Sequence, residues 1–285
     1  MTLARRAWTL FEPIHAIVYF AREAPERYTA AGLRGGWMGY FASRSAPMGA
    51  VSPGVVTAVF HNFHPAMVAR AIPDAWRYSS PELALTARTA IADSALRRLW
   101  GDEVDTAEFA DVATTMMGVA QGLRGGGRPL YTATAALDVA VVPHLKLWQA
   151  CTRLREHRFD GHVAALTVNG LDGLESLITI VAGGAAVDGA TMRTFRGWSD
   201  EEWGAGVARL RDRGLLDAAS NLTDQGRALR ATVEEATDRL SGEVWESMDP
   251  GAREELFSAL RRLATSLEAP DGIRYPNPIG LTRPA

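Results

Sequence analysis

The chain has 285 residues, of which 47% are apolar and 22% charged, with 30 basic against 33 acidic side chains. That composition suits a globular protein of one large or two ordinary domains and excludes the global basic excess of a dedicated nucleic-acid binder. A single cysteine, Cys151, excludes an internal disulfide framework and any Cys-rich zinc or iron–sulfur site, as expected for a reducing cytoplasm.

The first segment, expected as a helix from about Leu3 to Ala21, is interrupted by Glu12, Pro13 and His15, so it lacks the unbroken apolar run of a signal peptide. No later stretch reaches the about 18 continuous apolar residues of a membrane span. A cytoplasmic protein with no membrane partner is the expectation. Within the segment, Trp8, Glu12, His15 and Tyr19 recur at i, i+4, i+7 and i+11, which places them on one face of an otherwise apolar helix. Glu12 and His15 form an i, i+3 pair in which the carboxylate can orient one imidazole nitrogen and leave the other for a proton, a metal or a ligand. The competing reading is a buried histidine satisfied by Glu12 with no further role.

Gly32 to Ala42 is a glycine-rich turn beside Trp37 and Tyr40, a wall against which a flat ligand can stack. Helices are expected over Pro53 to Ala71, Pro81 to Trp100 and Thr106 to Gly122, the first two opened by Ser-Pro steps that supply an N-cap hydroxyl and a proline at N1. Phe60-His61-Asn62-Phe63-His64 gathers two histidines, an amide and two aromatics, so His64 is a candidate ligand-pocket residue and haem a candidate cofactor. Gly125 to Pro129 lacks the strand and the Gly-Lys-Ser/Thr of a phosphate loop and reads as a linker, dividing a helical domain 1–127 from a second domain 128–285.

The helix expected over His144 to Arg158 carries Arg153, Glu156, His157 and Asp160 on one stripe, with Trp148, Cys151 and Leu154 on the other side. Gly161 is expected to break it and turn His162 back toward His157. With an acid, the two histidines are candidate ligands of a divalent metal, although i, i+5 is not the i, i+4 spacing of a helical zinc pair. A solvated, salt-bridged face is the alternative.

Helices over Gly161 to Val168, Leu171 to Ala182, Ser199 to Arg213, Thr223 to Glu246 and Pro250 to Leu267 complete the chain. In the order of a Ser-capped helix, Arg-Gly-Leu-Leu at 213 to 216, a short turn and Asn-Leu-Thr-Asp-Gln-Gly-Arg from Asn221, the region from about His144 to Trp245 resembles the MarR-type winged helix. That resemblance implies a fold that is mainly α, with a helical N-terminal half and a winged-helix-like C-terminal half bearing a short two-stranded wing. It also implies DNA and a homodimer as partners. The residues argue against DNA. The recognition helix opens with Asp200, Glu201 and Glu202, the wing from 216 to 222 has no basic residue, and Arg193 to Asp249 holds 8 Arg against 12 Asp and Glu, a net of −4. Arg209, Arg211 and Arg213 lie late in the helix, within reach of phosphate if they are not paired internally.

Nearly the whole chain is similar to an actinobacterial family known only as helix-turn-helix proteins. The residues that carry this are Glu12 to Phe20, Gly32 to Gly49, Leu154 to Leu166, Arg196 to Ser199 and Tyr275 to Gly280. Phe159 stands where that family's pattern has glycine, an expected change at a pocket edge. The resemblance implies a fold and no activity.

No nucleophile elbow, zinc-protease motif, Walker loop or dinucleotide fingerprint is present. The reading is therefore a small-molecule binder on a scaffold poorly suited to DNA. It admits acid–base or metal-assisted chemistry on an apolar or aromatic metabolite, with Glu12, His15 and His157 catalytic. Trp8, Tyr19, Trp37, Tyr40, His64, Trp148, Arg153, Glu156 and Asp160 are its candidate ligand contacts, and His157 with His162 its candidate metal ligands. The alternative is a ligand-responsive MarR-like regulator.

Overall fold

The computed structural model describes every residue except Pro278, Thr282 and Ala285, so Pro278 of the terminal Tyr275 to Gly280 motif lies outside the described residues. Fifteen α-helices are formed among the described residues. They are α1 (Leu3–Ala16), α2 (Ala24–Ala30), α3 (Gly35–Ser45), α4 (Pro53–Phe60), α5 (Pro65–Ala69), α6 (Ala75–Tyr78), α7 (Pro81–Trp100), α8 (Ala107–Gln121), α9 (Pro129–Ala135), α10 (Pro143–Val168), α11 (Gly173–Ala182), α12 (Gly189–Arg196), α13 (Asp200–Asp212), α14 (Asp224–Glu246) and α15 (Pro250–Ser266). The starts follow from the sequence. Ser52 and Ser80 cap α4 and α7 ahead of prolines, Thr106 caps α8, and Asp172 with Glu175 and Ser199 with Glu202 form capping boxes on α11 and α13.

The expected two-stranded wing is absent, and with it the winged-helix sheet. Between α13 and α14 the chain makes one isolated antiparallel bridge, Leu216 to Leu222, and no strand occurs among the described residues. The physical reason is length. Only five residues separate the bridged pair, and they close on themselves: the Asp217 amide donates to the Asn221 carbonyl at 2.9 Å, and Asp217 Oδ1 accepts from the Asn221 amide at 2.8 Å. Arg211 then staples the turn, donating to the carbonyls of Asp217 and Ala218.

Further departures concern helices. The first helix ends at Ala16 and passes into a tighter turn over Ile17–Tyr19, and the segment expected as a glycine-rich turn is helical from Gly35 to Ser45. The region from Pro53 to Ala71 is not one helix, because His61 adopts φ 50° and the chain turns before restarting at Pro65. Conversely, Gly161 does not break α10, which runs through it for 26 residues. Glycine is needed there for closeness: an added Cβ would lie 2.6 Å from Arg128 Nη1. That guanidinium crosses the helix, donating to the carbonyl of His157 and, at 2.8 Å, to that of Leu240.

The apolar residues form one large core, a smaller one and a minor cluster of Leu177, Val187 and Met192. Side chains of α1, α3, α4, α7, α8, the first half of α10, the end of α14 and α15 build the large core, with Phe11, Ile14, Phe41, Phe60, Ile91 and Trp245 at its centre. The smaller core joins Ala165 and Leu166 of α10 to α11, α13 and the start of α14 through Leu171, Leu174, Ile178, Leu210, Leu215 and Val233. Helix α10 contributes to both. A loop from the N-terminal half also docks on α11, where a Cβ at Gly173 would lie 2.0 Å from the His61 carbonyl oxygen. Among the described residues no single helix is long and apolar enough to cross a membrane.

Candidate functional site

The polar residues of α10 meet α1, α3 and α7 in a buried charged network. Arg44 of α3 grips Glu156 with two bonds, Nε to Oε1 at 2.9 Å and Nη2 to Oε2 at 2.8 Å. Glu156 Oε2 also accepts from Arg155 Nη1 at 2.8 Å, and Arg155 Nε donates to Glu12 Oε1 at 3.3 Å. Burial alone would raise the carboxyl of Glu156, but Arg155 and Arg44 together hold it far below the usual carboxylate range. Glu12 lacks that support. Burial, the leading effect, pushes its pKa up against the opposing charge of Arg155, and its Oε2 has no hydrogen-bond partner.

Glu12 therefore serves Arg155 and does not orient His15. His15 is wholly buried, and its two nitrogens go to Thr152 Oγ1 and Tyr19 Oη, each at 3.0 Å. Burial first, then the nearby Arg155, lowers its pKa well below the ordinary value, so the imidazole is neutral. Arg88 Nη2 donates to the same Tyr19 oxygen at 3.0 Å. The chain Thr152, His15, Tyr19 thus has two proton arrangements. In one, Tyr19 donates to Nε2 and Nδ1 donates to Thr152; in the other, both donations reverse.

The network lines three cavities. The largest, about 690 Å³, lies between α3, α7 and α10, with Leu85, Leu137, Leu145 and Trp148 as apolar wall and Arg44, Arg88, Thr152, Arg153 and Glu156 as polar groups. The second, about 510 Å³, has Tyr19, Trp37, Tyr40, Phe63, Phe195 and Arg196 on its wall. Its rings meet largely edge to face, for instance Trp37 with Tyr40 at 5.8 Å and with Phe195 at 6.2 Å, joining α3 to α12. The third, about 280 Å³, is bordered by Trp8, Glu12, Arg155, Phe159 and His162. Phe159 is sandwiched between guanidiniums, with Arg155 4.5 Å and Arg44 4.8 Å from its ring centre. Thr152 faces the first cavity and Tyr19 the second, with His15 between them.

The remaining predicted residues do not converge on one site. His157 packs edge-on against Tyr131 at 5.0 Å, and burial followed by the charge of Arg128 pushes its pKa down to about 4. His162 bonds Thr237 Oγ1 at 2.9 Å, and burial pushes it down to about 4 as well. Asp160 accepts from the Tyr131 amide at 2.9 Å, and burial raises its carboxyl to about 6. No group of three or more His, Cys, Asp or Glu with metal-binding geometry occurs among the described residues, and no histidine lines the largest cavity to offer a haem iron a proximal ligand. Trp8 carries Arg5 and Arg158 on its ring, while Trp148 donates from Nε1 to the His15 carbonyl at 3.2 Å.

His64 is a joint between the two halves. Its Nδ1 accepts from the Ala66 amide at 3.0 Å, its Nε2 meets Glu202 Oε1 at 2.7 Å, and its ring stands edge-on to Trp198 at 4.7 Å. Arg44, Arg88, Thr152 and Arg155 were absent from the sequence candidates, as was His144, whose Nε2 meets Asp93 Oδ1 at 2.6 Å. A signal existed for the arginine of α7. Arg88 falls at core spacing with Ala84, Ile91 and Ala95, where a charge has no reason to sit unless it is used.

The C-terminal arginines that DNA contact would need are occupied. Arg209 donates to Asp172 and Glu175 at 2.9 and 3.1 Å, and Arg213 to Glu175 at 2.9 Å.

Fold and site together define a mainly helical protein in which α10 runs from the cavity-bearing N-terminal half into a smaller helical core with α11, α13 and the start of α14. The chain matches a helix-turn-helix family over residues 4–273 and belongs to that family. Neither a curated protein nor a solved structure matches it.

Proposed function

We propose that this helix-turn-helix family member binds a small apolar or aromatic metabolite in the cavity between α3, α7 and α10. The observation that supports this best is the cavity itself. Its volume of about 690 Å³ falls within the range of ligand sites, and a mostly apolar wall converges on the buried Arg44, Thr152 and Glu156. If the site is catalytic, the neutral imidazole of His15 takes a proton from Thr152 at Nδ1 and gives its Nε2 proton to Tyr19, whose own hydroxyl proton leaves toward the second cavity. A binding or sequestering role uses the same cavity without that step. The test is a thermal-shift screen of aromatic and aliphatic acids, amines and neutral compounds against the wild type and against Leu145→Trp, which narrows the cavity at its apolar wall. Ligands that stabilise the wild type and not the variant support the reading, whereas hits that stabilise both place binding elsewhere.

A second reading, a ligand-responsive DNA-binding regulator, draws on the family membership and on the aromatic contacts that tie Trp37 to Phe195 of α12. The acidic start of α13 and the internal pairing of Arg209 and Arg213 oppose it. Absence of any gel-shift retention of random-sequence duplex at low salt would remove it.

A further inference from the structure

The wall of the largest cavity carries more buried positive than negative charge. Arg44, Arg88 and Arg153 line it, with exposures of 3%, 4% and 3%. Arg44 is answered by Glu156, which Arg155 also draws on. The other two have only neutral partners: Arg88 donates to Tyr19 Oη, and Arg153 donates to the Leu137 carbonyl at 2.8 Å and to Met117 Sδ at 3.4 Å. Arg88 Nη1 and Arg153 Nε have no hydrogen-bond partner, and neither residue makes an ion pair among the described residues. A buried guanidinium with no carboxylate in contact keeps unused hydrogen-bonding capacity at a cost, and two beside one cavity gain when an anion enters it.

We infer that the ligand of this cavity is an organic monocarboxylate, its carboxylate set toward Arg88 and its apolar body against Trp148, Leu145 and Leu137. This rests on the reading that the cavity is the ligand site. Arg88 lies 5.7 Å from the Trp148 ring centre in cation–π contact, so a carboxylate bound by the guanidinium carries its own ring alongside the indole on the same cavity wall. A polyphosphate or a dicarboxylate fits less well, because Asp93, Asp138 and Glu156 also border the space and would repel added negative charge. Asp93 is itself engaged by Arg97 and His144 at the mouth.

The experiment uses a matched pair of probes, 2-naphthoate and 2-naphthamide, titrated calorimetrically into the full chain. Wild type is expected to bind the acid at least about tenfold more tightly than the amide, the discrimination a charge-assisted hydrogen bond gives. Arg88→Gln should erase that preference, Arg88→Lys should keep part of it, and Leu145→Trp should block both probes, each variant first checked by far-ultraviolet dichroism. If Arg88→Gln does not fold, Arg88→Met provides the same comparison. Equal or tighter binding of the amide to wild type overturns the carboxylate inference and leaves the cavity standing as a site for neutral ligands. Failure of both probes to bind, or binding of both that Leu145→Trp does not affect, overturns the cavity reading and this inference with it.

Discussion

Arg44 and Glu156, 112 residues apart in the chain, meet as a two-pronged ion pair with both side chains 2% exposed. Such a pair adds little net stability over an apolar pair of equal volume, but losing one member strands a buried charge. Glu156→Ala should therefore lower the unfolding free energy by about 3–5 kcal/mol in urea denaturation. The double variant Arg44→Met, Glu156→Leu should recover much of that loss. An additive double variant would show that the pair is not coupled.

Gly161 makes a prediction of opposite sign in two backgrounds. A helix-interior alanine normally gains about 1 kcal/mol over glycine. Here its Cβ would meet Arg128 Nη1 at 2.6 Å and push the guanidinium off the His157 and Leu240 carbonyls, so Gly161→Ala should destabilise the wild type by about 1–3 kcal/mol. In an Arg128→Ala background the same change should stabilise. Thermal melting of the four proteins decides this.

His162 predicts a pH effect whose sign follows from its depressed pKa. The folded imidazole stays neutral to about pH 4, while the unfolded one takes a proton near 6.5, so its contribution is complete above about 6.5 and is lost as pH falls toward 4. His157 acts in the same direction, and Asp160, raised to about 6, opposes both by taking a proton in the folded state first. Comparison with His162→Asn isolates the residue. The stability gap between wild type and variant should shrink by about 1–2 kcal/mol between pH 7 and pH 5. A constant gap would mean that the folded imidazole titrates normally.

Arg209 and Arg213 share Glu175, whose side chain is 6% exposed. Each single alanine substitution should cost about 0.5–1 kcal/mol, as partly exposed pairs do, because the other arginine still answers the carboxylate. Removing both should cost more than the sum, since Glu175 is then left without a cation. Strict additivity in urea denaturation would argue against the shared role.

Much of the helical layout was legible because caps and apolar spacing are local: Ser80-Pro81 and the Ser199 to Glu202 box mark their helices unaided. The wing was misread because Arg-Gly-Leu-Leu at 213–216 and Asn-Leu-Thr-Asp-Gln-Gly-Arg from Asn221 stand in the order that flanks a wing, whereas a five-residue span between bridged positions leaves no room for a ladder. The break expected at Gly161 failed for a reason no local pattern carries, the crossing of Arg128 from 33 positions away. The site divided in the same way. Helical spacing grouped Glu12, His15 and Tyr19, yet the α-helix ends at Ala16, only His15 and Tyr19 touch, and the partners Arg155, Thr152 and Arg88 come from other helices. The stripe on α10 was read as one site, although Glu156 faces the cavity while His157 and Asp160 face Tyr131.

The unbroken course of α10 has a mechanical corollary. Thr152 on the cavity wall and Leu166 in the smaller core ride on the same rod, separated by about 21 Å at 1.5 Å per residue. A tilt of about 5° pivoting at the cavity would carry the far end through about 2 Å, a displacement of the size that repacks helix interfaces. With a glycine hinge at 161 such a tilt would dissipate in bending. The guanidinium lying across that glycine braces the helix at its weakest position, so a tilt at the cavity end would be carried to the contacts with α11 and α13.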